Sequence, residues 1–313
     1  MTHYRIIFAL LLLLPLQLKA QTDTSTVMVK IDHSDVARGI QGEEEDERKE
    51  LIGNVELRQD STFLYADSAA VRGNIVDAFG NVIIHSGDST EAFSDELFYN
   101  GDEKIAELRK NVLLIHGKNK IISERLIYDI TLEKASYVSG ALLQNDSMQI
   151  TSRYGQYYTA IKSAFFKDNV VVLTEDMQIK TDSLFYNVDQ EIVHLYGPSL
   201  ITLDTAKIYA EEGGTYHLLT GEALFYGRPQ YESDSTRAIA DTIIYSQNIL
   251  SLRGNAIYQD TAQYAVADTI VYDRDIDIVS LLGNAFFRDN NATAEGEILQ
   301  YNRQTESIQS SGR

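Results

Sequence analysis

The chain has 313 residues, a formal net charge of −19 and neither cysteine nor tryptophan. Without cysteine there is no disulfide stapling and no lipidated N-terminal cysteine, and an excess of acids supplies no basic stripe, so nucleic acid is not an expected partner.

Met1, His3 and Arg5 precede an apolar run from Ile6 to Leu14, then Pro15 and a polar approach to Ala20. This is the order of a secretory signal peptide, expected at residues 1–20 with a cut at Ala20/Gln21, and it places the mature chain in the periplasm. The run is too short to span a bilayer. Its removal takes away Arg5 and Lys19 and leaves a charge of −21. Residues 21–50, with acids crowded between Glu43 and Glu50, read as an irregular lead-in.

From there the sequence repeats. Gly-Asn-apolar triplets stand at Gly53-Asn54-Val55, Gly80-Asn81-Val82, Gly254-Asn255-Ala256 and Gly283-Asn284-Ala285. Worn copies stand at Lys110-Asn111, Gly140-Ala141, Asp168-Asn169, Gly197-Pro198 and Gly221-Glu222. A small residue followed by an acid recurs as Ala66-Asp67, Ser94-Asp95, Ser123-Glu124, Thr181-Asp182, Ala210-Glu211, Ala240-Asp241, Ala267-Asp268 and Ala294-Glu295, with Ser152-Arg153 in the missing slot. The steps between copies are 28, 29, 29, 29, 29, 30, 27 and 27 residues. Nine copies in register are the signature of a repeat architecture.

Apolar residues lie at odd offsets before the acid and at even offsets after it, so the period-2 strand pattern changes phase there, as it does at a corner or bulge. Asp-Ser and Asp-Thr pairs such as Asp60-Ser61, Asp146-Ser147 and Asp204-Thr205 mark a further turn. Each copy therefore predicts two or three short strands. Stacking each strand on its equivalent in the next copy would give nine layers and a body of about 40 Å. The expected class is all-β, an elongated open β-jelly roll or β-solenoid of about nine repeats of ~29 residues.

Catalytic groups occur once on a scaffold, whereas these acids recur in every copy. Their expected role is structural, capping turn N–H groups at the corner. A calcium ladder lacks its glycine-rich nonapeptide. The six histidines show no ligand spacing, and no nucleophile elbow or phosphate loop is present. No catalytic residue, metal or cofactor is assigned. Tyrosine four residues after the acid recurs at Tyr99, Tyr128, Tyr157, Tyr186, Tyr245 and Tyr272. This ladder is either cross-strand core packing or the wall of a lipid groove.

The order small-acid-x-aliphatic-x-Tyr, a polar stretch, then Asn-Val-x-Leu is seen in Ser94-Asp95-Glu96-Leu97-Phe98-Tyr99 leading to Asn111-Val112-Leu113-Leu114. It resembles the repeats of the OstA-like periplasmic lipopolysaccharide-transport family over about residues 51–313. Arg153, Pro198 and the copy around Glu211–Tyr216 depart from the pattern. The resemblance implies an apolar groove that shields lipid A acyl chains and a bridge toward the outer membrane. Its wall candidates are Val82, Ile84, Leu97, Tyr99, Val112, Leu114, Leu126, Tyr128, Val170, Val172, Leu184, Tyr186, Ile243, Tyr245, Ile270 and Tyr272. It further implies lipopolysaccharide as a partner, edge-strand pairing with other export components, and head-to-tail self-association. Gly312, 29 residues after Gly283, stands where a tenth repeat would begin, so this end is expected to be either a docking edge or a truncation. The residues leave open a structural or adhesive surface β-solenoid whose own side chains fill the core. A carbohydrate-active β-helix is disfavoured, because its carboxylates would cluster in a few copies.

Overall fold

The computed structural model describes residues 27–40, 48–87 and 89–311, apart from the side chain of Ile40. The expected signal segment, Asp88 and Gly312 lie outside the described residues. Within them every regular element is a strand, and the 26 strands form one sheet.

Each well-preserved repeat is a hairpin of two long strands rather than two or three short ones. Arg48–Gln59, Thr62–Arg72, Ile75–Ser86, Thr90–Asn100, Ile105–His116 and Asn119–Asp129 pair one after another, antiparallel. The Asp-Ser pairs are hairpin tips, so a strand's neighbour is the preceding strand of the chain and its repeat equivalent lies two places away. This overturns the expected stacking of like on like. Roughly twenty rungs at about 4.8 Å make a body on the order of 90 Å long, not 40 Å.

The phase change is a bulge. Ile52 pairs with Ser68 and Val55 with Ala66, leaving Gly53 and Asn54 opposite Asp67 alone. Both residues of the Gly-Asn pair have left-handed φ, 74° and 46° at Gly80 and Asn81. Glycine tolerates this without cost, and a Cβ on Gly80 would collide with the Asp67 carboxylate. The acid is not chiefly a cap for turn N–H groups. It accepts the Asn side-chain amide of the next strand: Asn81 Nδ2 donates to Asp67 Oδ2 at 2.9 Å, Asn111 to Asp95 at 2.7 Å and Asn255 to Asp241 at 2.8 Å.

Three register assignments change. Arg228 has φ 55° after Gly227 at 74°, so Gly227-Arg228, not Gly221-Glu222, is the worn Gly-Asn pair. Glu212, not Glu211, packs against Gly227. At the last corner Leu282 pairs with Ile298 and Ala285 with Gly296, which makes Glu297, not Glu295, the acid. The lead-in is also more regular than expected. It contains Lys30–His33 and Val36–Ile40, and between them Asp35 accepts Asn54 Nδ2 at 3.0 Å, another copy of the corner. Its signal was hidden because no Gly-Asn pair precedes it.

Several strands break in two at the corner, among them the one at Ala240-Asp241, which keeps its bond from Asn255. Lys134–Tyr137 separates from Ala141–Gln144, and Gln149–Ser152 from Tyr154–Tyr158. Three consecutive rungs break between residues 206 and 245, at Ala206–Ala210 and Gly213–His217, Ala223–Phe225 and Gln230–Ser233, and Arg237–Ile239 and Thr242–Tyr245.

The line of corners folds the sheet into two arms. The first carries the halves next to the Asp-Ser tips, such as Val55–Gln59 with Thr62–Ala66. The second carries the other halves, such as Arg48–Ile52 with Ser68–Arg72. Inward residues of both arms form one apolar cluster from Leu51 to Tyr301. Burying each Val, Leu or Ile there contributes about 1.5–3 kcal/mol. No strand pairing joins the free margins of the arms among the described residues, so the sheet is a jelly roll that faces itself across a seam.

Candidate functional site: the apolar interior and its seam

All sixteen wall candidates face the interior. Fourteen are buried, from Val112 and Leu184 at 0 % exposure to Tyr99 at 4 %, while Tyr245 and Tyr272 are half-buried. With the corner acids reassigned, tyrosine stands four residues after eight consecutive acid slots: Tyr99, Tyr128, Tyr157, Tyr186, Tyr216, Tyr245, Tyr272 and Tyr301. Tyr216 and Tyr301 were missed because their acids were read at Glu211 and Glu295. The tyrosine spacing, 27 to 30 residues throughout, carried the signal.

The ladder lies on the second arm, and the hydroxyls of Tyr99, Tyr157, Tyr186 and Tyr216 meet the first residue of a turn on the first arm. Tyr99 bonds Gln59, whose Nε2 also donates to Gly101 O at 3.0 Å. Tyr157 OH lies 2.8 Å from His116 Nδ1 and 3.4 Å from Asn119 Nδ2. Asn145 Nδ2 donates to Tyr186 OH at 3.2 Å, and Tyr216 engages Thr174. Lys104 crosses the same margin to Asp60 at 2.7 Å. These polar tip residues were not singled out from the sequence, since each is a different residue type. Their shared place at the first position of a turn is visible only once the arms are folded.

Burial pushes the hydroxyls of Tyr99, Tyr157 and Tyr186 up to about 12. The phenols therefore stay neutral and able to donate. His116 is held below the ordinary imidazole range, mainly by burial and secondarily by Lys162, which keeps it neutral as a partner for Tyr157. The interior is filled by its own side chains; a cavity of about 10 Å³ lies beside Val76, Ile84 and Tyr99.

Comparison with known families decides the affiliation. A model described as OstA-like protein matches residues 26–182, just over half of the chain. The chain belongs to the OstA-like family. A second model, the lipopolysaccharide-transport protein domain of LptA and the LptD N-terminus, matches residues 149–276 and 259–307. The affiliation is thus to a lipopolysaccharide-transport family, one of transport proteins. None of the curated proteins compared matches the chain. Among solved structures, LptH of Pseudomonas aeruginosa, described as the LptA-homologous periplasmic component of the lipopolysaccharide transport device, aligns at 20% identity and a TM-score of 0.32. That alignment covers 34% of this chain and 82% of LptH.

Proposed function

We propose that this OstA-like chain acts in the periplasm as a lipopolysaccharide-binding transport protein. It shields lipid A acyl chains between its arms and bridges toward the outer membrane through its sheet edges. The observation that carries this reading is the continuous apolar interior from Leu51 to Tyr301 between two arms that no strand pairing closes among the described residues. Acyl burial is worth about 0.8 kcal/mol per CH₂. A chain of about twelve carbons would therefore repay separation of several seam contacts at about 0.5–1.5 kcal/mol each.

The test is site-specific photocrosslinking in cells. A photoreactive phenylalanine at Tyr186, on the inner face, is expected to give a lipopolysaccharide adduct. The same probe at Tyr196, half exposed on the outer face, is expected to give none. Adducts at Tyr196 alone, or at neither position, would sink the proposal. The filled interior favours a second reading, a structural β-repeat body with a self-packed core, and that reading predicts no adduct at Tyr186.

A further inference from the structure

The seam bonds of Tyr99, Tyr157, Tyr186 and Tyr216 stop at Tyr245, beside the weakest stretch of the corner. The turn residues facing the ladder run Gln59, Ser86, His116, Asn145 and Thr174, all polar, and then Leu203. Leu203 begins its turn as Asn145 and Thr174 begin theirs: Leu203 N donates to Ala206 O at 2.8 Å, Asn145 N to Met148 O and Thr174 N to Met177 O, each at 3.0 Å. Tyr245, 42 residues on, occupies the ladder position that should meet it. Leucine offers no acceptor. Tyr245 instead lies under Arg274 of its own arm, 4.9 Å from guanidinium to ring centroid. The next rung turns away too: Tyr272 donates to Asp277 at 3.0 Å and accepts from Arg303 at 2.8 Å, both on its own arm. These two tyrosines are also the half-buried members of the ladder.

On the opposite margin, the rungs between residues 206 and 245 are the three consecutive ones whose strands break at the corner. Pro229 sits at one of these corners, between Ala223–Phe225 and Gln230–Ser233, and Pro198 lies in the unbroken strand Ile192–Thr202 just before them, each removing a backbone donor. Ladders in these rungs are short: three residues pair between Ala223–Phe225 and Thr242–Tyr245, and three between Gln230–Ser233 and Arg237–Ile239. The broken rungs between residues 134 and 158 differ in having a latched mouth, because Tyr157 and Tyr186 bond across it. Among the described residues, a broken corner and a ladder tyrosine turned from the seam coincide at Tyr245, opposite Leu203. Segments with few paired backbone groups open at the least free-energy cost.

We infer that the arms part locally at Leu203/Tyr245, and that this is the lateral port through which an acyl chain enters and leaves the interior. The inference rests on the lipid-binding reading for its cargo, but the opening itself can be measured without lipid.

The chain has no cysteine, so paired thiols can be introduced cleanly. Leu203→Cys with Tyr245→Cys, bridged by a short cleavable bifunctional thiol reagent, is expected to slow capture of fluorophore-labelled lipopolysaccharide at least tenfold, with recovery on cleavage. The same bridge at Asp60→Cys with Lys104→Cys, which face each other across the same margin and are not wall candidates, is expected to leave capture within twofold. If neither bridge matters, entry is through the ends and the port is wrong; if both block equally, the whole seam opens and a local port is wrong. In parallel, amide hydrogen exchange of the protein alone compares wild type with Leu203→Asn, which restores a polar tip opposite Tyr245. Slowing by tenfold or more across residues 203–206 and 245–249 supports the opening, and unchanged exchange overturns it. Should wild type capture no lipopolysaccharide while Leu203→Asn still slows exchange, the cargo reading fails and the local opening stands.

Discussion

Asn81 does two things at its corner that alanine cannot do. It accepts a left-handed φ of 46°, which costs an ordinary L-residue about 1–2 kcal/mol, and it donates to Asp67 at 2.9 Å. That bond is exposed and adds little beyond the backbone term. Asn81→Ala is therefore expected to destabilise by about 1–2 kcal/mol, read from the urea midpoint. Asp67→Asn keeps an acceptor for Asn81 and is expected to cost under about 1 kcal/mol. Calcium should leave the Tm of both variants and of wild type unchanged. A rise in wild type abolished by Asp67→Asn would instead make the acids a cation ladder. The corner was legible in the sequence because its residues answer to backbone geometry, and geometry leaves a pattern in one chain segment. The acid's partner was not, since Asn81 and Asp67 are 14 residues apart and meet only through antiparallel pairing.

The same distinction governs the strands. Alternation around Leu97 and Tyr99 or Leu126 and Tyr128 gives the inner face directly, because period 2 is a property of one strand. Which strand lies beside which is set by hairpin closure, and the Asp-Ser pairs marked those turns without saying that the chain reverses there. Nor could a single strand's pattern reveal that Tyr186 meets Asn145 across the seam. That contact makes a testable contrast. Tyr186→Phe removes a half-buried hydrogen bond to Asn145 and is expected to cost about 1 kcal/mol. Tyr245→Phe removes a hydroxyl with no partner across the seam and is expected to cost under about 0.5 kcal/mol. Urea titrations of the two variants side by side decide it. An equal loss at Tyr245 would mean that its hydroxyl is latched after all, and the break in the ladder would disappear.

At the scale of the molecule, one interior and one strongly acidic exterior set the response to pH and salt. Tyr99, Tyr137, Tyr157, Tyr186 and Tyr258 have hydroxyls pushed up to about 12 by burial, against about 10 in an unfolded chain. A raised pKa gives stability that is whole below the unfolded value and is lost as pH climbs through the folded one. Alkaline unfolding is therefore expected between pH 10 and about 12, with phenolate absorbance of the buried set rising together with loss of the β-sheet circular dichroism signal. Phenolate appearing before the sheet signal falls would show a seam wet enough to titrate in the native state. Charge acts in the opposite sense to burial on the proposed cargo. The full sequence carries −19 and lipopolysaccharide is itself anionic, so their approach is opposed at long range while acyl burial is unaffected by salt. Raising sodium chloride from about 10 to about 150 mM shortens the screening length from roughly 30 to 8 Å. It should speed capture several-fold with little change in release, measured by stopped-flow fluorescence of labelled lipopolysaccharide. Capture that slows with salt would mean a local cationic patch, not the apolar interior, makes first contact, and the acyl chains would then be second to engage.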